Sequence, residues 1–330
     1  MKSKIKLKLN NHPPILIVAG EPYSIFSEIL YKAIKNYKSK KPIVVIGSYS
    51  LIKKQIYKLN YNLEFNLLSN DFKSSELMNK KINIINIEFD YKKIFDKISI
   101  NSKKYIEKSF EVALKLLKTK KIAGIINGPI SKSDFLEKKF FGITEYLAHK
   151  LNISNFAMLI YNEKTSVSPV TTHIPLKHVS KKISKRKIIS TVELIKDFYK
   201  IKLKRNVKIA ITGVNPHCES NREKDNEEKK IIIPAIRYLQ KKYTQITGPV
   251  SADTVFIKAN LKKFDVIVGM YHDQVLGPLK TLYNFDAINI TLGLPFIRIS
   301  PDHGTGNDLL GKKKSSAISI LKAIKFLDKI

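Results

Sequence analysis

The chain has 330 residues, 43% of them hydrophobic, enough for one large or two ordinary cores, which excludes an intrinsically disordered protein. Its formal charge is +32, yet only five of its sixty basic residues are arginine and the lysines are dispersed, so the charge does not form the concentrated patch of a nucleic-acid-binding surface. No apolar run reaches the roughly 18 residues that span a bilayer, the start Met1-Lys2-Ser3-Lys4 leads into no signal-like block, and the single Cys218 supports no disulfide framework; a cytoplasmic protein is expected, with any metal held mainly by His, Asp and Glu.

In chain order the pattern predicts a strand at 15–19, a helix at 25–37, strands at 43–46 and 82–87, a helix at 108–118, and strands at 122–126 and 156–161. It continues with helix 185–199, strand 207–212, helices 227–241 and 252–262, strands 266–270 and 287–291, and helix 315–327. Helical spacing is clearest in Val112, Leu116 and Leu117 and in Ala317, Ile320, Leu321, Ile324 and Leu327. Apolar β-branched runs alternating with amphipathic stretches predict an α/β protein with a largely parallel sheet covered on both faces. No repeat, Gly/Ser linker or change of composition marks a domain boundary.

The unusual residues cluster after the strands. Gly20-Glu21-Pro22 and Asn127-Gly128-Pro129 read as turns at the carboxyl ends of the first strand and of 122–126. His173 follows the extended run 166–172, Asn215-Pro216-His217 follows 207–212, and Tyr271-His272-Asp273-Gln274 follows 266–270. In open α/β sheets the ligand crevice lies outside those ends, so these three imidazoles are candidates to meet around a divalent ion and leave a position open for substrate. They are 44 and 55 residues apart, and no short-range ligand motif accompanies them. Asp253 and Asp273 are candidates to orient imidazoles or complete the coordination, with helix capping or a turn as the alternative. His12, His149 and His178 read as solvated surface.

Several blocks then match a known family in order. Thr171-Thr172-His173-Ile174-Pro175-Leu176, Gly213-Val214-Asn215-Pro216-His217, residues 248–256, the segment from Tyr271 to Lys280, and Asn289 through Arg298 resemble the 4-hydroxythreonine-4-phosphate dehydrogenase family of vitamin B6 biosynthesis. The resemblance runs from about Gly20 to Gly311. It implies metal ligands at His173, His217 and His272, and substrate contacts at Thr144, Lys280, Asn289 and Arg298. It also implies two α/β/α domains with a cleft between them, similar to isocitrate and isopropylmalate dehydrogenases; 1–130 with 292–330 would form the first domain and 131–291 the second. A homodimer is implied, with active sites at the subunit interface. The cofactors implied are NAD and one divalent metal per subunit, zinc, magnesium or cobalt. The loop Asp302-His303-Gly304-Thr305-Gly306-Asn307-Asp308 looks like the adenosine-binding loop of those decarboxylating enzymes, with His303, Gly304, Thr305 and Asp308 as cofactor contacts, and no G-x-G-x-x-G follows a strand.

The reaction so implied is oxidation and decarboxylation of 4-phosphooxy-L-threonine to 3-amino-2-oxopropyl phosphate, and the residues leave the general base open between Asp253, Asp273 and a metal-bound water. Three departures from the family pattern stand out. Ile143 occupies the place of a substrate-binding histidine, the first turn is less glycine-rich, and Cys218-Glu219-Ser220-Asn221-Arg222 replaces a Gly-rich segment. They keep open a paralogous dehydrogenase acting on another 4-phosphorylated hydroxy acid, of threonate or erythronate type. An inactive relative and a lysine-rich nucleic-acid-binding protein are the remaining readings.

Overall fold

The computed structural model describes residues 12–99, 101–119, 121–136, 140, 142–218, 226–284, 286–301 and 304–330. Twelve strands follow one another along them. They are β1 (Ile15–Val18), β2 (Ile43–Gly47), β3 (Phe65–Leu68), β4 (Ile82–Asn86), β5 (Gly124–Asn127), β6 (Ala157–Tyr161), β7 (Ser166–Thr171), β8 (Ile209–Thr212), β9 (Ile246–Val250), β10 (Val266–Tyr271), β11 (Ile288–Leu292) and β12 (Arg298–Pro301). The chain divides into two compact units, one of Met1–Ile143 with Phe296–Ile330, the other of Thr144–Pro295. The sequence reading set these junctions at 130/131 and 291/292; no composition change marks either position.

In the first unit the strand order is β3-β4-β2-β1-β5-β12, all parallel. Every residue of β1 and β2 is buried, which is why both read as unbroken apolar runs: helices cover both faces. Helix Ser102–Thr119 turns Tyr105, Ile106, Phe110, Ala113 and Leu116 inward at spacings of one, three or four residues, leaving most of its lysines outside. Helix Ile318–Lys329 does the same with Ile320, Ala323, Ile324 and Leu327.

In the second unit the order is β11-β6-β7-β10-β8-β9. The expected largely parallel arrangement has one exception here: β6 runs antiparallel to both β7 and β11. Only residues 162–165 join β6 to β7, too few for a crossover, so the pair forms a hairpin. β7, β10, β8 and β9 are parallel. Helix Lys185–Ile201 starts at Ser184, whose hydroxyl accepts from Lys187 N at 3.2 Å, and buries Ile188, Val192, Ile195 and Tyr199.

Helix boundaries also moved. The expected helix at 252–262 is two short turns, Ala252–Val255 and Lys258–Leu261, interrupted where Ile257 is extended. The expected helix at 227–241 opens with a π-turn, Glu228–Ile232, before Ile233–Lys242. Unforeseen were β3, β9 and β12, the helix Tyr49–Lys58, and the helix His272–Tyr283, which contains Gly277 and Pro278. β9 carries Gly248 and Pro249, tolerated because this strand lies at an edge of the order.

Candidate active site

All three candidate metal-binding histidines follow strands of the second unit. His173 stands two residues beyond β7, His217 five beyond β8, and His272 directly after β10 as the first residue of its helix. The parallel run of β7, β10 and β8 brings those carboxyl ends to one side of the sheet. The His173 and His272 rings lie 5.7 Å apart between centroids. His217 has 75% of its side chain exposed, on a backbone that is left-handed at His217 (φ 55°) and at Cys218 (φ 59°). Two successive non-glycine residues in that region store backbone strain of about 1–3 kcal/mol each.

Each imidazole has a carboxylate on its Nδ1 side. Asp273 Oδ1 accepts from His272 Nδ1 at 2.7 Å, Asp253 Oδ2 lies 3.7 Å from His217 Nδ1, and Glu145 Oε1 lies 3.8 Å from His173 Nδ1. At His272 the carboxylate is close enough to hold the Nδ1 proton and leave Nε2 as the lone-pair donor, the arrangement found behind metal-bound histidines, while the other two carboxylates are within ion-pairing reach of Nδ1. By this donor chemistry the residues fit a divalent cation. Among the described residues, however, no three His, Cys, Asp or Glu side chains of one chain are grouped closely enough to hold one.

Asp253 and Asp273, the candidate catalytic carboxylates, are therefore placed beside imidazoles, and both are exposed. Asp253 Oδ1 also accepts from Ser251 Oγ at 2.5 Å; that bond, followed by His217, holds its carboxyl below the usual range. Glu145 went unassigned in the sequence because its partner His173 lies on a distant segment. Glu228, also missed, is buried at the π-turn, where its carboxylate accepts from Val214 N and Asn215 N at 2.8 Å and from Asn215 Nδ2 at 2.7 Å. This clamp fixes the loop before His217.

The substrate candidates divide between the units. Lys280 is an exposed residue of helix His272–Tyr283. Asn289 on β11 faces Ile160 across the ladder and so shares its face, the one packed by Leu276 and Leu279 of that helix. Its Oδ1 is buried without a hydrogen-bond partner. Two residues along, Thr291 Oγ1 lies 3.3 Å from Thr144 Oγ1, so Asn289, Thr291 and Thr144 make a polar strip. Ile143 is buried, so the residue in the family histidine's place contacts no anion by charge. Arg298 opens β12 in the first unit, 2% exposed.

Of the candidate cofactor residues, His303 lies outside the described residues. Gly304, Thr305 and Asp308 belong to the first unit. Thr305 O accepts from Ile25 N at 3.0 Å, and left-handed Gly306 (φ 63°) rests on the Ile25 side chain. Gly304 has open space around its Cα.

The first unit's rim carries one more feature. Gly20 has φ +78° and a Cβ there would come within 2.2 Å of Pro129 O, so the first turn tolerates only glycine. The adjoining Glu21 is buried; its Oε1 accepts from Ser102 Oγ at 2.5 Å, and its Oε2 has no partner. Desolvation pushes this carboxyl up to about 7 despite the bond from Ser102. The native state thus holds the proton more tightly than the unfolded chain, whose value is near 4.5, and stability falls as pH rises from there through about 7. Glu21→Gln is expected to be more stable than the wild type at pH 8, by up to about 3 kcal/mol, and to converge with it near pH 4.5. A difference independent of pH in thermal melts would contradict this.

Comparison with known proteins agrees with the resemblance. Residues 38–327 match the family described as pyridoxal phosphate biosynthetic protein PdxA. A 4-hydroxythreonine-4-phosphate dehydrogenase of Sulfurihydrogenibium is 40% identical over 315 residues, 94% of this chain and 96% of that protein. A D-threonate 4-phosphate dehydrogenase of Salmonella typhimurium is 31% identical, over 93% of this chain and 96% of that protein. The crystal structure of 4-hydroxythreonine-4-phosphate dehydrogenase from Klebsiella pneumoniae superposes with a TM-score of 0.83 at 28% identity, covering 96% of this chain and 97% of that one.

Proposed function

Because the chain belongs to the PdxA family of pyridoxal phosphate biosynthetic proteins, we propose that it is a dehydrogenase that oxidises and decarboxylates 4-phosphooxy-L-threonine to 3-amino-2-oxopropyl phosphate. The observation that carries the reading is the set of three imidazole–carboxylate pairs on one side of the second unit's sheet. His173, His217 and His272 would hold one divalent cation, zinc, magnesium or cobalt. When bound, that cation supplies Lewis acidity to the substrate's oxygens and NAD accepts the hydride.

The chain's own residues then act as follows. Glu145, Asp253 and Asp273 fix the tautomer and orientation of their imidazoles. The low pKa of Asp253 suits this task better than abstraction of an alcohol proton, since an efficient base has a pKa near the working pH. Lys280 and Arg298 supply positive charge for a phosphate dianion, Arg298 in bidentate form, while Asn289 and Thr144 add polar contacts. Gly304, Thr305 and Asp308 form the loop that receives the adenosine part of the cofactor. A homodimer with active sites at the subunit interface is part of the same proposal, carried over from the resemblance to the family. Among the described residues no helix is long and apolar enough to cross a membrane.

A second reading has a specific observation behind it. Buried Ile143 removes a positively chargeable group from the proposed anion site, and a relative 31% identical to this chain bears the name of a D-threonate 4-phosphate dehydrogenase. NADH formation should be followed with 4-phosphooxy-L-threonine and with D-threonate 4-phosphate. A kcat/KM at least roughly tenfold higher for the amino acid, about 1.4 kcal/mol in transition-state binding, is expected. Preference for the threonate would assign the second reading.

A further inference from the structure

We infer that Gln274 is the positioning residue that sets the spacing between the His217 and His272 loops; the inference rests on the metal reading above. The Gln274 side chain, 9% exposed, lies between the ends of β8 and β10. Its Oε1 accepts from Met270 N at 2.7 Å and from Thr212 Oγ1 at 3.0 Å, and its Nε2 donates to Gly213 O at 2.8 Å. Met270 stands two residues before His272, and Gly213 four before His217. The carbonyl of the same Met270 accepts from Thr171 Oγ1 at 2.7 Å, two residues before His173. One chain of buried hydrogen bonds therefore links the strand ends that precede all three histidines.

The location explains why a side chain is needed there. The ladder between β10 and β8 ends at Val268 opposite Ile211, three residues before the end of β10 and one before the end of β8. Beyond that point the backbone groups of Met270 and Gly213 no longer face each other, and a planar amide spans the gap, offering an acceptor with two lone pairs and a donor from one rigid group. No other uncharged side chain of similar length does both. Gly269 is fitted to this arrangement, since a Cβ there would stand 2.4 Å from Val275 Cγ1 and 3.1 Å from Gln274 Oε1. The fully bonded network has one low-energy geometry, and a buried polar group that loses its partner is costly, so the loops do not slide.

Gln274→Met keeps the length and removes all three bonds, while Thr212→Val removes one and Thr212→Ser keeps it. Full-length metal-free proteins should be titrated with cobalt(II), well below their melting temperatures, reading both Kd and the visible d–d spectrum. The expected result is a cobalt affinity weakened by roughly 10–100-fold in Gln274→Met with an altered spectrum, a smaller loss in Thr212→Val, and recovery in Thr212→Ser. A residue that served the fold alone would lower the melting temperature and leave Kd and spectrum unchanged, which would overturn the inference. Absence of cobalt binding by the wild type would instead overturn the metal reading, and this inference with it. If Gln274→Met fails to fold, the Thr212 pair decides, and equal affinities in Val and Ser variants overturn the inference.

Discussion

Replacing His272 by alanine is expected to reduce NADH formation by on the order of 10³-fold or more, since loss of about 4 kcal/mol of Lewis-acid stabilisation corresponds to that factor. His272 is the imidazole with the shortest carboxylate contact, 2.7 Å to Asp273, and its ring lies 5.7 Å from that of His173. Its removal takes one of three ligands from the proposed cation. Bound metal, measured by elemental analysis after dialysis, should fall in parallel. Asp273→Asn is expected to act more mildly, by roughly 10–100-fold, because it alters the orientation of a ligand without deleting one. Turnover retained in His272→Ala, or by the wild type after exhaustive chelation, would remove the cation from the account.

The second large effect is expected at Arg298. A guanidinium at 2% exposure is an uncommon feature, tolerated where its donors are used and where a bidentate anion can be received. Arg298→Ala should raise KM for the phosphorylated substrate by on the order of 10²-fold, as expected for losing a charge-assisted contact of about 3 kcal/mol, and leave KM for NAD within about twofold. Arg298→Lys should recover little, because an ammonium cannot reproduce the planar fork. Equal losses for substrate and cofactor, accompanied by a lowered melting temperature, would show that the residue supports β12 and not the phosphate.

Residues buried on both faces were the most legible. β1, β2 and β10 are unbroken apolar runs, and from the ends of β1 and β10 the positions of Gly20 and His272 could be read directly. β3 and β9 lie at the ends of the strand order, where pairing on one side only and residues such as Gly248 and Pro249 weaken the alternating signal. The hairpin of β6 and β7 was hidden for another reason: both strands are buried, so their pattern does not distinguish a parallel from an antiparallel neighbour.

At the site, the histidines stood out because each follows a strand, whereas most of what orients them did not. Glu145, Glu228 and Gln274 act on partners 28, 13–14 and 61–62 residues away in the chain, through contacts that only the tertiary structure creates. A weak signal existed at Gln274, a polar residue that falls on the inward side of an otherwise apolar turn with Val275 and Leu276. The left-handed backbone at His217 had no signal, since neither histidine nor cysteine announces that conformation. Ile143 was read as a departure from the family pattern, and its burial gives that departure a physical meaning: the position now belongs to the core.

Anomalous diffraction from crystals grown with zinc, recorded on both sides of the absorption edge, tests the central claim most directly. The account predicts one strong peak per chain about 2.0–2.1 Å from Nε2 of His173, His217 and His272, whichever protomers supply the rings. A peak ligated by other residues, or a peak that leaves any of these three imidazoles outside the coordination sphere, would contradict it.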